Sequence, residues 1–160
     1  MGVTLLALTR PTEWDFPLFL HVLGAMVLVG GLLTAVAMQA FAWRRHDPAD
    51  VAAFSRGAFW ALLTVALPGW VLMRVGAEWI YSKEGYSGDN DPSWLGIGYL
   101  TADAGFLVLL VTILLAGLGV RQLRRSGSGT SVLVRVATPL ATILLIVYLV
   151  AVWAMTTKPD

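Results

Sequence analysis

The 160 residues include no cysteine, only two histidines and few charges: Lys and Arg total 11, Asp and Glu 10, together 13% of the chain. Without cysteine there is no disulfide, thiolate metal site, iron–sulfur cluster or covalent haem attachment through a Cys-x-x-Cys-His run. Two histidines, His21 and His46, cannot build a multi-histidine metal cage from one chain. A formal net charge of +1 leaves no broad basic surface for neutralising phosphates, which excludes nucleic acid as a partner. No Ser–His–acid order, His-Glu-x-x-His run or Walker loop occurs, so hydrolytic chemistry is not expected.

What the chain has instead is apolar length. Hydrophobic residues make up 58% of it, and its charged fraction is far below the ~25% of soluble domains. Crossing ~30 Å of hydrocarbon takes about 20 mostly apolar residues. Four stretches qualify, from Phe16 to Trp43, Phe54 to Tyr81, Leu95 to Val120 and Val132 to Met155. The expected fold is therefore all-α, a single-domain transmembrane four-helix bundle with the lipid bilayer as its first partner. Pro68 and Pro139 each remove a backbone donor inside a span, and Pro68-Gly69 should bend the second one. The opening Met1 to Leu8 lacks a basic leading segment and reads as interfacial rather than as a signal peptide. The middle loop, with Lys83, Glu84, Asp89, Asn90 and Asp91, lacks the ligand spacing of an EF-hand and reads as a solvated turn.

Arginine placement sets the expected orientation. Arg44, Arg45, Arg56, Arg121, Arg124, Arg125 and Arg135 flank the first and third loops, while the other side has Arg10, Lys83 and Lys158. The positive-inside rule puts the first and third loops in the cytoplasm and both termini outside. Trp14, Trp79, Trp94, Tyr99 and Trp153 then form an outer aromatic belt.

One polar residue from each span falls in roughly the same outer layer. By helical rise, His21 lies ~10 Å below Trp14, Arg74 at a similar depth below Tyr81, and Asp103 and Tyr148 about one turn deeper at most. Glu78 sits one turn outside Arg74 on the same face. A charge at a helix centre costs roughly 2.5–3.5 kcal/mol on insertion scales, so these residues should point into the bundle and pair. Gly24, Leu28, Gly31 and Ala35 share a face of the first helix, and Thr101, Gly105, Thr112 and Gly119 one of the third, as close-packing surfaces do. Gly24, one turn below His21, leaves space for a bound group or for a neighbouring backbone.

The run Phe19-Leu20-His21-Val22-Leu23-Gly24-Ala25-Met26-Val27-Leu28-Val29-Gly30-Gly31 resembles the first helix of small bacterial integral membrane families of unknown function, and of the membrane domain of copper-resistance protein D. The resemblance covers one helix of the four. It implies a bacterial inner membrane and copper or haem chemistry, and it carries over His21. A single histidine suits five-coordinate haem b, or bis-histidine ligation shared across a homodimer. Candidate cofactor-binding residues are thus His21, Gly24 and Tyr148, with His21 the candidate metal ligand. Arg74, Glu78 and Asp103 form the candidate ion-pair or proton layer. Three readings stay open: haem or metal handling, placed first on the helix-one resemblance; a proton or small-solute pathway; and a structural subunit of a larger membrane complex.

Overall fold

Helices account for nearly all of residues 15–84, 93–127, 129 and 131–157, which are those the computed structural model describes. Helix α1 covers Asp15–Trp43, α2 Pro48–Ala61, α3 Leu67–Glu84, α4 Ser93–Ser126 and α5 Val132–Thr157. A π-helical turn, Leu62–Ala66, joins α2 to α3 into one second span. Four spans, Asp15–Trp43, Pro48–Lys83, Gly98–Ser126 and Val132–Thr157, are long and apolar enough to cross a bilayer. The fold is all-α, a transmembrane four-helix bundle. The amino-terminal segment read as interfacial, Trp14 and residues 85–92 of the middle loop lie outside the described residues.

The π turn follows from Pro68. Proline has no N–H for the Thr64 carbonyl, and its ring crowds that carbonyl. The Leu67 N–H instead reaches back five residues to the Leu62 carbonyl, which lets the chain continue as helix. Helix α5 runs through Pro139 uninterrupted. Two ends differ from the sequence expectation. Helix α2 starts at Pro48, because the Asp47 carboxylate accepts the Ala49 N–H at 2.9 Å and proline suits the first helical position. Helix α4 continues through its arginines to Ser126 and stops at Gly127, whose φ of 61° lets its N–H cap the Leu123 carbonyl at 3.2 Å.

Neighbouring spans run antiparallel, and glycine decides how closely they meet. Gly24, Leu28, Gly31 and Ala35 are buried along α1, on the face expected from the sequence. A Cβ on Gly24 would run into the Met73 backbone, and one on Gly69 into the Leu28 backbone. A Cβ on Gly31 would stand 2.6 Å from the Ala66 nitrogen, and one on Gly76 2.5 Å from that of His21. These two spans touch backbone to backbone. Helices α4 and α5 meet similarly, with Gly105 receiving the Tyr148 ring and Gly119 the Val134 side chain. The core is built of leucine and alanine, Leu28, Leu32, Leu109 and Leu144 among Ala35, Ala58 and Ala116. Large apolar side chains such as Met26, Leu33, Leu107, Leu114 and Ile146 face outwards instead. A continuous apolar exterior of this kind suits lipid, not water.

Candidate functional site

Helices α3 and α4 face each other through long side chains rather than through backbone contact. Trp70 stacks on Phe106 with centroids 4.0 Å apart, and its indole N–H donates to the Ala102 carbonyl at 3.0 Å. One turn along α3, Arg74 makes the polar crossing. Its guanidinium pairs with Glu78 on its own helix at 2.7 Å and with Asp103 on α4 at 3.3 Å. The same guanidinium lies over the Tyr99 ring, 4.6 Å from its centroid. Tyr99 in turn meets Tyr81 edge-on at 5.6 Å.

Arg74 therefore spans two carboxylates and an aromatic face, as a planar guanidinium can and a lysine cannot. Its side chain is 23% exposed, whereas those of Glu78 and Asp103 are 52% and 60% exposed. The sequence led us to expect all three inside the bundle. The two acids instead stand on its flank, beside the α3–α4 contact. Helical phase accounts for this: Gly69, Met73 and Gly76 are the positions that meet α1, and Arg74, one turn on from Trp70, lies on the α4 side. Counting one guanidinium against two carboxylates leaves one negative charge uncompensated within the cluster.

His21 sits elsewhere. It is partly buried between α1 and α3, and its Nδ1 lies 2.9 Å from the Met73 carbonyl. A carbonyl only accepts, so Nδ1 is the donor in this bond, which in a neutral ring leaves the lone pair on Nε2. The space beside Gly24 is filled by the Met73 backbone, the second of the two occupants that the sequence allowed. Tyr148 lies across the bundle against Gly105. Its buried hydroxyl is beside Trp70, yet it meets hydrogen-bond geometry with no partner among the described residues, because the indole N–H is committed to Ala102. His21, Gly24 and Tyr148 thus belong to two different helix interfaces. Among the described residues, no group of three or more His, Cys, Asp or Glu side chains is placed to hold a metal ion.

Two members of the cluster were not anticipated as such, Trp70 and Tyr99. Each lies four residues before a charge, Trp70 before Arg74 and Tyr99 before Asp103, so helical spacing put both on the faces of the ion pair. No known family, curated protein or solved structure matches the chain.

Proposed function

We propose that the chain is a multi-pass protein of a bacterial plasma membrane, with both termini extracytoplasmic, whose Arg74–Glu78–Asp103 cluster takes up a proton or a small cation in the outer half of the bundle. The observation that carries this is the charge count beside the α3–α4 contact, two half-exposed carboxylates on one guanidinium. In a span, an uncompensated carboxylate is costly, so it is neutralised by a proton, a cation or water reaching it. Asp103 is the exchanging group, being the more exposed acid and the longer of the two pairs; Glu78 and Tyr99 hold the guanidinium in place. The orientation rests on the arginines flanking the first and third loops.

Infrared difference spectra of the full chain in lipid, recorded across a pH titration, test it. A protonated-carboxyl band that disappears in Asp103→Asn and stays in Asp50→Asn is the expected result. An identical band in wild type and Asp103→Asn would overturn the assignment.

A second reading, haem b or copper bound through His21, has one feature in its favour. The Nδ1–H bond to Met73 fixes the tautomer that leaves Nε2 free to coordinate, as a backbone carbonyl does behind many metal-bound histidines. On this reading a second copy or another chain supplies the further ligands. An absorption spectrum with elemental analysis of purified protein, compared with His21→Ala, decides it.

A further inference from the structure

The arginine-rich end of the bundle, opposite the Arg74 cluster, has a half-open cavity of about 520 Å³ between α1, α2, α4 and α5. Two of its lining residues each carry a buried polar atom without a partner among the described residues. Ser55 is 0% exposed and its Oγ is unbonded; Gln39 is 4% exposed and its Oε1 is unbonded. This is unusual, because a helical serine readily bonds the carbonyl four residues back, as Thr112 does to Val108 at 2.7 Å and Thr138 to Val134 at 2.9 Å. An orphaned polar atom in a membrane bundle is costly, so two such atoms at one cavity point to something that bonds them.

The rest of the lining says what kind of group it is. Arg45 and Arg135 stand at the rim, and among the described residues no acidic one lines the cavity. Ser131 lines it too, and caps the first turn of α5 by accepting the Val134 N–H at 3.4 Å while donating to Gln122 at 2.9 Å. The positive end of a 26-residue helix therefore opens on the same space. Arg45 is only loosely held by Asp50, at 3.9 Å, and so keeps donors to offer.

We infer that this cavity binds a phosphate ester that carries a hydroxyl, with Arg45, Arg135 and the α5 amino terminus taking the phosphate and Ser55 and Gln39 bonding the hydroxyl-bearing part. Glycerol phosphate has this chemistry, either as a free small molecule or as the headgroup of phosphatidylglycerol. The Ser55 O–H donates and the Gln39 Oε1 accepts, which suits a hydroxyl and not a second anionic oxygen. With the orientation proposed above, the site faces the cytoplasm or the inner leaflet.

Thermal unfolding of the full chain in phosphatidylcholine nanodiscs provides the test. Glycerol 3-phosphate should raise the midpoint in a saturable way, and sodium sulfate at equal ionic strength should not. Phosphatidylglycerol built into the discs, in phosphate-free buffer, is the other arm. Stabilisation by the lipid alone identifies a headgroup site, and stabilisation by the free ester alone a soluble-ligand site. Arg135→Gln and Ser55→Ala should each weaken the apparent affinity about tenfold or more, the effect of losing one bond to a charged or buried group. Arg124→Gln and Arg125→Gln, on exposed side chains outside the cavity, should leave it unchanged. If Ser55→Ala lowers stability without ligand, the affinity from the midpoint series still reports binding. No stabilisation in either arm, or equal losses in the Arg124 and Arg135 variants, overturns the inference.

Discussion

Single atoms control this bundle wherever two backbones touch. Gly24 is packed on the Met73 backbone and Gly76 on that of His21, whereas nothing lies within 4 Å of a Cβ on Gly30. Backbone cannot yield as a flexible side chain can, so adding one methyl must push α1 away from α3. Gly24→Ala and Gly76→Ala should each destabilise the protein by about 1–3 kcal/mol in a detergent unfolding assay. Gly30→Ala should be neutral, although it stands one residue from the packing face. Equal effects of all three would mean that the helices are not in backbone contact. The ion pair calls for a different measurement, because removing one partner also strands the other. A double-mutant cycle between Arg74→Gln and Asp103→Asn isolates the pairing itself. We expect a coupling of about 0.5–3 kcal/mol, the range for residues in one network. A coupling near zero would leave Asp103 as an independent, solvated acid.

Among the elements, the four spans were legible because apolar length is a strong signal, and the Gly24–Leu28–Gly31–Ala35 face because helical spacing is regular. The ends were harder to read. Asp47-Pro48 looked like part of a charged loop, yet aspartate followed by proline is a helix start, and α2 begins there. Arg121, Arg124 and Arg125 looked like loop, yet they continue α4 until Gly127. Hydropathy marks where a helix leaves hydrocarbon, not where it ends. The candidate site was legible in its members and in the pairing of its charges, and not in its exposure. Arg74, Glu78 and Asp103 could be matched by depth and charge. How far they are exposed depends on which face of α3 meets α1, and that face is marked by Gly24, Gly69 and Gly76 only when the two helices are read together. Capping supplies the test at this scale. Asp47→Ala removes the bond to the Ala49 N–H and should destabilise by about 1 kcal/mol. His46→Ala, one residue earlier and exposed, should not. A matching loss in both variants would mean that loop composition, not the cap, anchors α2.

For the whole molecule, the two ends of the bundle carry different chemistry. One end holds the Arg74 cluster with two carboxyl groups to one guanidinium, and the other holds Arg45 and Arg135 at a cavity with no acid among its described lining residues. Between them lies a layer of apolar side chains, including Leu28, Leu32 and Leu109, all fully buried. That layer separates the two sites. Orientation then decides which compartment each site meets. Translocating the first or third loop would carry Arg44 and Arg45, or Arg121, Arg124 and Arg125, across the membrane, whereas the positive-inside bias keeps such short basic loops in the cytoplasm. A reporter active only outside the cytoplasm should therefore work when fused after Asp160 and fail when inserted at Ser128. Because the chain has no cysteine, a single introduced one gives an independent reading of the same question. Thr157→Cys should react with an impermeant maleimide on intact cells, and Ser126→Cys only after permeabilisation. The reverse pattern in both assays would invert the protein. The Arg74 cluster would then face the cytoplasm, and the arginine-lined cavity would open to the outer compartment, where it would meet the outer leaflet's headgroups instead of cytoplasmic esters.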